Sequence, residues 1–199
     1  MNLSTAVRIV AILNFTYFFI EFSVGLKIGS VSLFADSIDF LEDGMVNMLI
    51  LIALGWSAKR RSLVGMMLAL ILLVPGIATL WTAWTKFQSP IVPAPLALSL
   101  TGSGALIVNF SCATMLVRFR EHGGSLSKAA FLSARNDVLA NIAIVLAGVS
   151  TAWLGSILPD LLVGIAIAVM NVDAAREVWN AARKERREAA SMRKDRWDS

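Results

Sequence analysis

Residues 33–55 read LFADSIDFLEDGMVNMLILIALG, an apolar run that nevertheless contains four acids, Asp36, Asp39, Glu42 and Asp43. A helix needs about 20 mostly apolar residues to cross a bilayer, and this run is that long. An unpaired charge at the centre of the membrane costs roughly 2.5–3.5 kcal/mol, so four acids on one span need a compensating environment. We expect the acids to face a polar cavity, to be protonated or to bind a cation.

The four acids lie on one face of the predicted helix. Successive residues advance by about 100° around the axis, which places the four carboxyl groups within an arc of about 120°. They form one acidic stripe and therefore face the same part of the molecule. A purely structural interpretation, in which protonated or hydrogen-bonded acids only pack helices together, stays open.

A second polar stripe lies in a later apolar run of the chain. Ser133, Asp137 and Asn141 are spaced by four residues and share a helix face. At about 1.5 Å per residue, Asp43 lies about 17 Å from one membrane surface and Asp137 about 14 Å from the other. On a hydrocarbon core of about 30 Å both are close to the midplane, where secondary transporters often bind substrates. The spacing predicts that two antiparallel helices bring Asp39, Asp43 and Asp137 together.

The rest of the chain is also strongly apolar. Of its 199 residues 57% are hydrophobic and 16% are charged, against about 25% charged in soluble domains. The sequence contains six apolar stretches, at residues 9–25, 33–55, 63–84, 96–117, 129–154 and 158–179. We therefore predict an all-α polytopic membrane protein with six transmembrane helices over residues 1–180 and a short charged tail at residues 181–199. One cysteine and one histidine exclude an internal disulfide and a Cys/His zinc finger.

The basic residues are distributed unevenly between the predicted loops. One side of the membrane receives Arg8, the cluster at residues 59–61, Arg118, Arg120, Lys128 and the tail, and the other side receives only Lys27 and Lys86. By the positive-inside rule, both termini are expected in the cytoplasm. The tail is either a solvated or membrane-skimming helix end or a contact for anionic lipids. The net charge of +4 therefore reflects membrane topology, and no nucleic-acid partner is expected.

Three clustered carboxyl groups suit an exchange between a metal ion and protons. Because like charges repel, such groups tend to hold protons until a divalent cation displaces them. Metal binding then releases the protons. The sequence contains no His-Glu-x-x-His motif, no Gly-x-Ser-x-Gly motif and no glycine-rich phosphate loop, so an intramembrane enzyme is not expected.

Further residues of the first two stretches add to this pattern. Asn14, Glu21 and Gly25 precede SLFADSIDFLED at residues 32–43, and Asn14 and Glu21 are seven residues apart on one helix face. This arrangement resembles the first two spans of the cation diffusion facilitators, which are proton-coupled exporters of divalent metals. Residues 160–168, DLLVGIAIA, are similar to the start of the sixth span of that family. The resemblance extends over most of residues 8–180 and implies the six-helix membrane domain of the family.

The resemblance also implies where a transport site would lie. The family has a His/Asp-x-x-x-Asp pair on its second span and another on its fifth. Asp39 and Asp43 match the first pair, and Asp137 matches the second Asp of the other pair. Ser133 stands where His or Asp is expected. The predicted metal site is therefore Asp39, Asp43, Asp137 and Ser133, with the metal ion as cargo and with no resident cofactor.

Serine in place of an imidazole leaves only oxygen ligands, with Asn47 and Asn141 as further candidates. Oxygen ligands suit harder ions, so Mn²⁺ or Fe²⁺ is favoured, while Zn²⁺ and Co²⁺ stay open. No loop carries the histidine run of many zinc-transporting members, and the cytoplasmic C-terminal domain of the family has no counterpart in the sequence. We therefore expect any homodimer to depend on the membrane helices.

Arg135 complicates the prediction, although it lies about 160° round the helix from Asp137. Three interpretations stay open: a salt bridge to another helix, with Glu42 or Glu21 as candidate partners, solvation at the cytoplasmic interface, or a guanidinium that fills the acidic cavity in place of a metal. Glu21 and Asn14 either line the pathway or hydrogen-bond to neighbours. We expect a proton-coupled exporter of divalent cations in the plasma (inner) membrane. The alternative is a non-transporting interaction or assembly protein on a degenerate transporter scaffold.

Overall fold

The computed structural model describes residues 2–53, 77, 79–118, 124–170, 176, 180, 183 and 187, and gives only the backbone for residues 50, 53 and 124–133. Its helices are α1 (Leu3–Ile28), α2 (Val31–Ala53), α3 (residues 79–88), α4 (Pro95–Val117), α5 (Gly124–Leu154) and α6 (Leu158–Met170). The described residues contain no strand, and the predicted all-α fold class is confirmed.

The helices have the length and composition of membrane spans. α1, α4 and the Ala134–Leu154 part of α5 are each long and apolar enough to cross a bilayer. α2 is 23 residues long and contains the four acids. Large apolar side chains point outwards from the bundle, among them Phe19, Leu100 and Leu146, as expected of a surface in contact with lipid. The chain is therefore an integral membrane protein.

Two helices begin earlier than the apolar stretches predict. α1 begins at Leu3 rather than at residue 9, because the side-chain oxygen of Asn2 caps it by accepting a 2.8 Å hydrogen bond from the N–H of Thr5. α5 begins at Gly124, and its 31 residues make it about 46 Å long, which exceeds a hydrocarbon core of about 30 Å. Most of the third predicted stretch and most of the tail lie outside the described residues.

The two helices that carry the polar stripes, α2 and α5, pack against each other. α1 packs along α2, α4 packs along α5, and α1 also contacts α4. An apolar cluster of Leu33, Leu98, Ile144 and Ile167 joins α2, α4, α5 and α6. The polar stripes can therefore face other helices instead of lipid.

The N-terminus of α2 is held by Asp160, near the start of α6. Before α2 the chain turns at Gly29, whose φ of 68° favours glycine. The buried carboxylate of Asp160 accepts hydrogen bonds from the N–H groups of Val31 (2.8 Å) and Ser32 (3.2 Å). It also accepts from the hydroxyl groups of Ser30 (2.6 Å) and Ser32. A negative charge at this position meets the free N–H groups and the positive end of the helix dipole, so Asp160 fixes α2 relative to α6.

Candidate functional site

Three of the four predicted ligands lie together between α2 and α5. The carboxyl groups of Asp43 and Asp137 are within hydrogen-bonding range of each other across the two helices. Asp39 lies close enough to interact electrostatically with both of them. The fourth predicted ligand, Ser133, belongs to α5, and its side chain lies outside the described residues.

The site is buried to different degrees along its length. The side chain of Asp43 is 7% exposed and that of Glu42 is 9% exposed. Asp39 and Asp137 are only partly buried. Asp39 and Asp137 are therefore the more accessible acids of the group, and Asp43 is the more buried one.

The carboxyl groups do not converge on one ion position. Among the described residues, no group of three or more His, Cys, Asp or Glu side chains has an arrangement that could hold a metal ion. Asp43 and Asp137 instead face each other as a pair. Two carboxyl groups can take up this geometry when they share a proton, whereas a bound divalent ion would require both to turn towards it.

Asn141, a further candidate ligand in the sequence, belongs to a buried hydrogen-bond chain. Its Oδ1 accepts a 2.9 Å hydrogen bond from Nδ2 of Asn109 on α4. Its Nδ2 donates to Oδ2 of Asp36 on α2. Both polar atoms of the Asn141 amide are thus engaged, and the chain connects α4, α5 and α2 through fully or almost fully buried groups.

The sequence pattern did not identify Asn109 as part of the polar group between the helices. The only sequence signal was a single amide in a stretch whose other polar residues are Ser and Thr, and a buried amide generally needs a partner. Which partner it has depends on how α4 packs on α5, and helical periodicity carries no information on that point.

Asn47 keeps a free acceptor next to the acidic pair. Its Nδ2 donates a 2.8 Å hydrogen bond to the backbone oxygen of Asp43, one turn earlier on α2. Its Oδ1 is buried and has no hydrogen-bond partner among the described residues. Asn47 therefore stays a candidate ligand through this oxygen.

Arg135 does not enter the acidic region. Its side chain is exposed, and Nη2 donates a 3.3 Å hydrogen bond to Oδ1 of the adjacent Asn136. In the part of the chain that the structure describes, no ion pair joins it to Glu42 or Glu21. Among the described residues, Arg135 is neither a salt-bridge partner of Glu42 or Glu21 nor a cation that fills the site, and its exposed side chain agrees with the solvated interpretation.

Glu21 and Asn14 on α1 are fully buried. Neither oxygen of Glu21 and neither polar atom of Asn14 has a hydrogen-bond partner among the described residues. The carboxyl group of Glu21 lies against that of Asp36. The interpretation that Asn14 hydrogen-bonds to a neighbouring side chain is therefore wrong for the described residues.

Residues 7–184 match the model of the cation efflux transmembrane domain. No curated protein matches the chain.

Proposed function

The chain belongs to the cation efflux family, and we propose on that premise that it exports divalent metal ions in exchange for protons. Members of this family transport cations and are not enzymes. The observation that supports the finer proposal is the group of Asp39, Asp43 and Asp137, which brings carboxyl groups from two helices together inside a membrane bundle. Acids in such a position are costly and are commonly functional.

Proton exchange follows from the electrostatics of this group. The carboxyl groups of Asp43 and Asp137 face each other, and in an apolar surrounding two facing carboxylates repel. At least one proton therefore resides on the group until a divalent ion supplies the compensating charge. Metal binding and proton release are then linked, and each opposes the other.

The donor atoms favour harder divalent ions. Carboxylate oxygens come from Asp39, Asp43 and Asp137, and a hydroxyl oxygen comes from Ser133 in the predicted stripe of Asp137. The amide oxygen of Asn47 has no hydrogen-bond partner among the described residues and is a further donor to a metal ion. Oxygen ligands suit Mn²⁺ better than a site with imidazole would, and Fe²⁺ is the next candidate. Zn²⁺ and Co²⁺ are the competitors to be tested beside them.

The proposed cycle is alternating access about a site near the midplane. The protein is taken to lie in the plasma (inner) membrane with both termini in the cytoplasm. The metal ion enters the site from the cytoplasmic side and displaces protons there. The bundle then opens outwards, the metal ion leaves and protons return to the carboxyl groups. The driving force is the proton gradient, so export is expected to weaken as the external pH rises.

Flux measurements in inside-out proteoliposomes with a lumenal pH dye test the proposal. We expect uptake of Mn²⁺ or Fe²⁺ accompanied by a rise of lumenal pH. Asp137→Ala should lower the uptake rate by more than about 100-fold, because changes outside the ligand shell alone can cost 10–100-fold in metal affinity or activity. Arg135→Ala is the matched control, because this neighbour on α5 is exposed and, among the described residues, hydrogen-bonds to the adjacent Asn136.

Two outcomes would contradict the proposal. Undiminished flux from Asp137→Ala at equal protein amount would refute the site. Absence of flux for every ion, from folded wild-type protein, would favour the assembly-protein alternative. That alternative rested on a guanidinium in the acidic cavity, and the exposed position of Arg135 removes this support.

A further inference from the structure

Glu21 is a buried acid that the proposed metal site does not use. Its side chain has no exposed surface, and neither of its carboxyl oxygens has a hydrogen-bond partner among the described residues. Its carboxyl group lies against that of Asp36, whose Oδ1 also has no partner within the same part of the chain. Burying a polar group without a hydrogen-bond partner is unfavourable, so these carboxyl oxygens need a hydrogen-bond donor.

The surroundings of Glu21 contain acids and no described basic side chain that hydrogen-bonds to it. From α2, Asp36 and Asp39 interact with it electrostatically. From α1 itself, Tyr17 interacts with it, and the Tyr17 hydroxyl donates a 2.6 Å hydrogen bond to the backbone oxygen of Thr101 on α4. From α5, Asn141 donates to Asp36, and Asp137 interacts with Asp36 electrostatically. The acids described around the pair thus disfavour a second negative charge on it.

A single proton resolves this arrangement. The amide of Asn141 donates to Oδ2 of Asp36, which favours the ionised form of Asp36. If Glu21 carries the proton, its O–H group can donate to Oδ1 of Asp36, the oxygen that otherwise has no donor. The pair then carries one negative charge instead of two.

We propose that Glu21 and Asp36 form a proton-binding carboxyl pair, separate from the metal ligands, that releases its proton when a divalent cation binds at Asp39, Asp43 and Asp137. The proposal deepens the proposed function and rests on it for the coupling step. The O–H bond of Glu21 breaks, the proton passes to water on the transport pathway, and both carboxyl groups become carboxylates. The charge of the arriving cation compensates for the charge that the pair gains.

The position of the pair explains how the cation would act on it. Asp36 lies three residues before Asp39 on the same face of α2, and it interacts electrostatically with Asp39 and Asp137. A cation bound among those acids lowers the energy of a doubly charged pair. By reciprocity, a protonated pair weakens cation binding by the same factor.

An exit for the proton is indicated by Asn14. This amide lies two turns before Glu21 on the same face of α1, is fully buried and has no partner among the described residues. A buried amide generally satisfies its hydrogen bonds with protein or with ordered water. Water beside Asn14 would connect Glu21 towards the N-terminal end of α1.

Infrared spectroscopy tests the pair without any metal. Protonated carboxylic acids have a carbonyl stretching band that carboxylates lack. In purified metal-free protein at neutral pH, Glu21→Gln should remove one such band, whereas Asp160→Asn should not, because Asp160 already accepts four hydrogen bonds from N–H and O–H groups. An unchanged protonated-acid band in Glu21→Gln would overturn the pair.

Calorimetry tests the coupling. Metal titrations in buffers that differ in ionisation enthalpy count the protons released for each ion bound. We expect Glu21→Gln to keep metal binding and to release about one proton fewer than the wild type, and Asp36→Asn, the second variant, to show the same loss. An unchanged proton count would overturn the coupling. Absence of metal binding in the wild type would instead refute the proposed function. The infrared result would still show whether Glu21 and Asp36 hold a proton between them.

Discussion

Removal of the carboxylate that caps α2 should destabilise the whole bundle. Asp160 accepts hydrogen bonds from the N–H groups of Val31 and Ser32 and from two serine hydroxyl groups, all in buried surroundings. In Asp160→Ala these four donors lose their acceptor. α2 carries Asp39 and Asp43, so the same change loosens the helix on which the proposed site depends.

The cost can be worked out donor by donor. The hydroxyl groups of Ser30 and Ser32 are 3.3 Å apart and can pair with each other, so their loss is largely recovered. The N–H groups of Val31 and Ser32 belong to the first turn of α2 and have no alternative acceptor within the helix. A hydrogen bond to a charged group is worth about 1.5–3 kcal/mol, so two of them give about 3–6 kcal/mol.

Thermal unfolding of the purified protein in detergent is the appropriate assay. A loss of this size in a chain of about 200 residues lowers the midpoint by about 6–24 °C. Asp160→Asn should lose less than Asp160→Ala, because it keeps Oδ1 and leaves only the Val31 N–H without an acceptor. Leu162→Ala on the same helix is the control, because its side chain is 66% exposed. Equal midpoints for Asp160→Ala and Leu162→Ala would refute the capping argument.

Two further changes test the packing around the polar groups. In Gly164→Ala a Cβ would lie 2.7 Å from the carbonyl carbon of Val31 and 2.8 Å from the nitrogen of Ser32. We therefore expect the free energy of unfolding to fall by about 1–3 kcal/mol, measured by thermal unfolding. An unchanged midpoint would mean that α6 can move away from α2 at no cost. Asn109→Leu removes the donor to Asn141 and should lower the free energy of unfolding by about 1–3 kcal/mol and reduce the metal flux. Wild-type stability and flux in this variant would show that the buried chain of amides is dispensable.

The acidic stripe and its partner helix could be predicted from the sequence. The membrane cost of a charge and the 100° step of a helix together require Asp36, Asp39, Glu42 and Asp43 to face one place. The rise per residue placed Asp43 and Asp137 at the same depth, and the structure has them in hydrogen-bonding range. These inferences succeed because they depend on local geometry and on the membrane as solvent.

Only the tertiary structure decided which polar groups meet. Periodicity states which face of a helix a residue occupies, but not which helix packs on that face or how the two are rotated. The pairing of Glu21 with Asp36, the chain from Asn109 through Asn141, and the outward position of Arg135 depend on those rotations. A side chain as long as arginine can also reach several partners from one backbone position, and packing selects among them.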